Sequence, residues 1–78
     1  MKIAENLKRF REAAGLSQME LANRVSANQS MIAHIENGFK IPSLALTVEL
    51  ADVLSVSLDS LVGRKNYAEI SFRRMTVK

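Results

Sequence analysis

At 78 residues the chain has room for one domain, and 47% hydrophobic with 24% charged residues places it among globular rather than disordered proteins. The absence of cysteine excludes a disulfide framework and a thiolate metal site. No apolar run is long enough for a bilayer, and Glu5, Lys8 and Arg9 interrupt any signal segment, so a soluble, cytoplasmic protein is expected. The net charge of +3 is uneven: residues 1–63 carry six cations against seven anions, and residues 64–78 carry five cations against Glu69 alone.

Ile3, Leu7, Phe10 and Ala14 repeat at four, three and four, the stripe of an amphipathic first helix, with Lys8, Arg9 and Glu12 off it. Gly15 suits the left-handed position that stops such a helix, and Leu16 can fold back on its last turn. Ser17-Gln18-Met19-Glu20 then has the form of a capping box. It opens a short second helix whose buried side is Leu21, Ala22 and Val25. Ser26-Ala27-Asn28 reads as a turn ending in a good N-cap.

A third helix follows from about Gln29 to Glu36, with Ile32 and Ile35 turned inward and Asn37-Gly38 as its stop. After the loop Phe39-Lys40-Ile41-Pro42, Ser43 caps a fourth helix whose Leu44, Val48, Ala51 and Leu54 are its expected core stripe. Leu46, Leu50 and Val53 make a second apolar stripe beside it, which is what a helix buried on two sides carries. Ser57 caps a last short helix holding Leu58, Leu61 and Val62, closed by Gly63. Beyond Gly63 the pattern changes to a period of two: Ala68, Ile70 and Phe72 alternate with polar residues. A single strand is not stable alone, so this segment either pairs with another strand or stays a basic tail. The expected division is therefore an all-α, five-helix domain over residues 1–63 and a tail over residues 64–78.

Leu7-Lys8-Arg9-Phe10-Arg11-Glu12, Gly15-Leu16-Ser17-Gln18-Met19-Glu20-Leu21-Ala22, Ile32, Ile35-Glu36-Asn37-Gly38 and Pro42-Ser43-Leu44 together resemble the Cro and phage-repressor (XRE-type) family of helix-turn-helix transcriptional regulators. The likeness covers residues 3 to 63. It implies a five-helix, lambda-repressor-like DNA-binding domain, dimeric binding to a palindromic operator and a role in transcription; no cofactor and no small-molecule ligand are expected from the sequence. It also implies that Arg11 pairs with Glu36 to brace the recognition helix, a bridge expected to be partly exposed and to contribute about 0–1 kcal/mol. The family's usual turn glycine is Ser26 here, and a left-handed serine would cost on the order of 1 kcal/mol.

In a helix-turn-helix the first turn of the second helix meets base edges in the major groove while the first helix crosses the backbone. With Ile32 and Ile35 inward, Gln29, Ser30, Ala33 and His34 fall on or beside the outward face. Gln29 suits a bidentate contact with adenine, Ser30 either base type, Ala33 a thymine methyl, and His34 guanine or phosphate. By resemblance Asn28 and Met31 border the same surface, Asn28 toward bases and Met31 toward the backbone. Gln18, at a helix start, and Asn37 and Lys40, just after the third helix, are the expected phosphate contacts. As the only histidine in a chain without cysteine, His34 has no set of partners for zinc.

One recognition helix reads too few base pairs to be selective, so a homodimer spanning half-sites about 34 Å apart is expected. Val53, Val56, Leu58, Leu61, Ile70 and Phe72 are its candidate interface. The basic tail offers a second possibility, an arm that follows phosphates. An enzyme is not expected: there is no phosphate loop, no second histidine and no cleft-forming length. The stronger rival is a helix-turn-helix protein-interaction module, adaptor or antitoxin-like, which the acidic bias of residues 13–63 slightly favours. Small polar residues at 29, 30 and 34 argue against it, because partner-binding helices present apolar anchors there.

Overall fold

The computed structural model describes residues 2–64, which form five helices: α1 (Ile3–Ala13), α2 (Gln18–Ala22), α3 (Gln29–Glu36), α4 (Leu44–Leu54) and α5 (Leu58–Val62). The expected all-α fold is observed, and α2 and α3 are the helix-turn-helix. The alternating segment after Gly63, with Ile70 and Phe72, lies outside the described residues.

Local chemistry sets the element ends. α1 and α3 close in the same way: Gly15 (φ +73) and Gly38 (φ +80) turn left-handed, and the next residue donates its N–H back into the helix. Leu16 N–H reaches Arg11 O at 3.1 Å, and Phe39 N–H reaches His34 O at 2.8 Å. Ser17 Oγ accepts the Glu20 N–H at 3.0 Å while Glu20 Oε1 accepts the Ser17 N–H at 2.9 Å, completing the capping box. Asn28, Ser43 and Ser57 cap α3, α4 and α5 through their side-chain oxygens.

Ile3, Leu7, Leu21, Ala22, Ile32, Ile35, Leu46, Leu50, Ala51, Leu54 and Leu61 form one core. Removing one such leucine or isoleucine side chain to alanine typically costs ~2–5 kcal/mol. α3 lies at the centre, with α2 and α1 packed on it, and α5 joins α1 to α4. The α1–α5 junction is tight. Lys2 N–H donates to Val62 O at 3.1 Å, Asn6 Nδ2 donates to Leu61 O at 3.2 Å, and a Cβ added at Gly63 would meet Lys2 Cβ at 3.1 Å.

Three expectations are corrected. In α4 the expected stripe is only half buried: Ala51 and Leu54 lie in the core, but Leu44 is 75% and Val48 38% exposed, and Leu46 and Leu50 of the second stripe are buried instead. The reason lies in Thr47, which is buried because its hydroxyl is spent on Ser43 O at 2.7 Å, so the core-facing arc runs through a residue that reads as polar. Ala14, placed on the α1 stripe, is exposed, because the closing turn at Gly15 has already left the core. And Ser26 is not left-handed. The chain leaves α2 through tightened bonds, Arg24 N–H to Leu21 O at 3.0 Å and Val25 N–H to Ala22 O at 3.3 Å, so no glycine is required there. The left-handed non-glycine residue among those described is Ser55 (φ 56), at the end of α4.

Candidate nucleic-acid interface

With Ile32 and Ile35 fully buried, α3 turns Gln29, Ser30 and His34 to solvent and leaves Ala33 half-buried beside them. The four residues expected on the outer face are therefore brought together. Asn28 is exposed at the start of α3, but its Oδ1 accepts the Met31 N–H at 2.8 Å, so its amide nitrogen is the group available to a ligand. Met31 is drawn inward and packs partly against the core. Asn37 and Lys40 are exposed after the helix. Lys40 and the caps of α3 and α4, Asn28 and Ser43, line one open groove with Ser26, Ala27 and Pro42. Two helix N-termini and a lysine around one groove give it a local positive character that the domain's overall charge lacks.

The far end of α3 is held from inside. Arg11 Nε and Nη2 reach Glu36 Oε2 and Oε1 at 2.7 and 3.0 Å, a two-point fork, and Arg11 Nη1 donates to Leu16 O at 2.8 Å. Gln18 Nε2 donates to Glu36 Oε1 at 3.1 Å. The bridge is buried rather than partly exposed, with side-chain exposures of 10% and 3%. The expected worth of a surface bridge therefore does not apply: leaving one member of a buried pair alone costs about 3–5 kcal/mol. The hydrogen bond from Glu36 holds the Arg11 guanidinium pKa above its ordinary value. Gln18, expected at a phosphate, thus commits its side-chain nitrogen to the brace.

The near end of α3 is held from outside, by residues that sequence reasoning passed over. Ser26 donates both its N–H and its hydroxyl to Glu49 Oε1, at 3.1 and 2.9 Å, tying the turn between α2 and α3 to α4. The partners lie 23 residues apart, and no local pattern marks them. Phe39, also given no role by the sequence reading, lies instead just beyond the C-terminal end of α3: 77% exposed, it sets its ring 6.2 Å from that of His34 at a tilt of 55°. Arg9, off the α1 stripe, lies over the Phe10 ring at 5.0 Å.

Of the expected partner-facing residues, Leu61 has no exposed area and belongs to the protomer's own core, so it is removed from that set. Val53 and Val56 are half-buried and Leu58 is 39% exposed, which leaves a modest apolar strip along α4 and α5. Among the described residues no helix is long and apolar enough to cross a membrane, and no group of three metal-ligating side chains occurs.

Comparison with known proteins gives the same outline. Residues 2–62 match the family model described as a helix-turn-helix domain. The chain is 33% identical over 64 residues to the cryptic phage CTXphi transcriptional repressor RstR of Vibrio cholerae, a match that covers 82% of this chain and 57% of that one. It is 34% identical over 55 residues to the uncharacterized HTH-type transcriptional regulator YazB of Bacillus subtilis, covering 70% of this chain and 80% of the other. Among solved structures, the restriction-modification controller protein C.AhdI of Aeromonas hydrophila superposes with a TM-score of 0.73 at 32% identity, covering 77% of this chain and 91% of that one.

Proposed function

The chain belongs to the helix-turn-helix domain family, and from that premise we propose that it is a transcriptional regulator, a dimeric repressor that reads a palindromic operator in double-stranded DNA through α3. Relatives named as repressor and regulator support a regulatory rather than an enzymatic role. The observation that carries the reading is the division of α3: its inner side is locked in the core by Ile32 and Ile35, and its outer side offers Gln29, Ser30 and His34 to solvent with no partner chain required to expose them.

The mechanism follows from that division. A helix fits the major groove of B-DNA, and the first turn of α3 carries the side chains with the geometry to read it. Gln29 pairs its amide with the N6 and N7 edge of adenine, Ser30 serves either base type, and Ala33 packs on a thymine methyl. His34 donates at guanine, and Asn28 reaches the adjoining base through its amide nitrogen. Phosphates on either side are held by Lys40 and Asn37 after α3 and by the α2 start at Gln18, while the part of Met31 left outside the core packs against the sugar wall. These contacts fix register and supply the salt-dependent part of affinity. Leu58, with Val53 and Val56, meets a second copy so that two α3 helices stand about one turn of DNA apart. Bound in the cytoplasm over a promoter, such a dimer acts by occupying the site.

Selection from a random DNA pool followed by mobility shift tests this. A palindromic site is expected, with Gln29→Ala erasing preference at one base pair per half-site and Lys40→Ala lowering the salt slope by about 1 for each phosphate it no longer meets. A pool that yields no enriched site ends the proposal. Sedimentation that finds only monomers at the concentrations where DNA is bound ends its dimeric part.

A further inference from the structure

Phe39, Ile41 and Leu44 are 77%, 74% and 75% exposed, an unusual density of bare apolar side chains in six residues. Phe39 differs from the other two because its ring meets the ring of His34, a residue proposed to read a base. The closing turn of α3 sets this up: Phe39 and Lys40 both donate their N–H groups to His34 O, at 2.8 and 3.2 Å. A turn of this kind lays the residue after the glycine over the helical residue five before it, and two apolar side chains commonly meet there. Here one of the two is His34. The rings sit 6.2 Å apart and tilted by 55°, within the range where an aromatic edge meets a face.

Stability alone does not account for this phenylalanine. A ring left 77% exposed buries too little to serve the core, and His34 is itself exposed. What the contact does accomplish is to restrict the imidazole, which would otherwise sample several rotamers in solvent. Immobilising such a side chain on binding carries an entropic cost, which a pre-set rotamer avoids. Lys40, the next residue, is exposed as well. A duplex that brings a base edge to His34 and a phosphate to Lys40 passes its groove wall over Phe39, and that wall offers deoxyribose and thymine methyls as apolar groups.

We propose that Phe39 is a positioning residue for DNA recognition: it orients the His34 imidazole toward its base and packs its exposed ring against the apolar wall of the major groove. This rests on the DNA-reading assignment of α3 made above.

The test uses the full chain and an operator selected by the wild-type protein. Affinities for that operator and for its single-base variants are measured with Phe39→Ala, Phe39→Tyr, His34→Ala and the double variant His34→Ala/Phe39→Ala, alongside thermal unfolding of each. Phe39→Ala is expected to weaken operator binding by about three- to tenfold. Its loss of preference should fall at the same base pair as that of His34→Ala, with no change in unfolding temperature comparable to a core truncation. Phe39→Tyr keeps the ring and should restore the preference, and the double variant should lose little more than His34→Ala alone. If the wild-type protein selects an operator and Phe39→Ala binds it unchanged, the inference fails while the DNA reading stands. A uniform loss at every base together with a lowered unfolding temperature shows a purely structural role and overturns it as well. So does a protein captured by the wild type and lost from Phe39→Ala with DNA binding intact. If no operator is selected at all, the assignment of α3 fails and the inference goes with it.

Discussion

The two ends of α3 are fixed by opposite means. At its C-terminal end Glu36 is buried, met by two nitrogens of Arg11 and one of Gln18, with the Arg11 and Glu36 side chains exposed by only 10% and 3%. At its N-terminal end Asn28 caps the helix in the open, and the turn before it hangs from Glu49 by two hydrogen bonds that water can contest. A buried ion pair resists rearrangement because separating it strands a charge, whereas an exposed hydrogen bond exchanges partners at little cost. The helix is therefore set on a firm seat at one end, while the end that carries Gln29 and Ser30 can adjust to what it meets.

The contrast can be broken most sharply at the seat. Glu36→Ala leaves the Arg11 charge buried without its partner and is expected to cost about 3–5 kcal/mol in denaturant unfolding. Replacing Arg11 and Glu36 together with apolar residues of similar volume should recover most of that loss, and a double variant as unstable as the single would show that hydrogen bonds, rather than stranded charge, govern this end. Asn28→Ala is expected to cost about 1 kcal/mol, with faster exchange of the Met31 amide read by NMR. Glu49→Ala should lower stability by less than about 1 kcal/mol, because its bonds to Ser26 are exposed. A loss as large as that of Glu36→Ala would erase the distinction between the ends. The smallest effect is expected at Glu20. The hydrogen bond from the Ser17 backbone holds its carboxyl pKa below the ordinary value. Its stabilisation is therefore present above the unfolded-state pKa and disappears as pH falls through the lower folded-state one, so carboxyl NMR shifts should show the α2 cap opening in acid.

The firm and soft ends were unequally legible. Every helix start that depends on a nearby oxygen, at Ser17, Asn28, Ser43 and Ser57, was readable because donor and acceptor lie within three residues. So were the stops at Gly15, Gly38 and Gly63, each left-handed, though the close approach of Lys2 and Asn6 to Gly63 was not. The outer face of α3 followed from two isoleucines three apart. The burial of Arg11 did not follow, because a guanidinium reads as surface until the carboxylate that neutralises it, 25 residues away, is placed beside it. Nor did the division of α4, since both stripes are apolar and the buried arc from Leu46 to Leu50 runs through Thr47, which reads as polar. The left-handed serine was expected at Ser26 and occurs at Ser55, because the first turn can tighten and the second must reverse direction to start α5. The pairing of Ser26 with Glu49 had no local sign at all.

The meeting of Lys2 with Val62 and of Gly63 with Lys2 and Asn6 bears on how the domain comes apart. Terminal helical turns ordinarily open first, one residue at a time, and short helices such as α5 open most readily. Here Lys2 and Asn6, at the opening of α1, donate to the carbonyls of Ser60, Leu61 and Val62 in α5, so loosening either helix breaks bonds to the other. Their amides should exchange with solvent as a single cooperative unit.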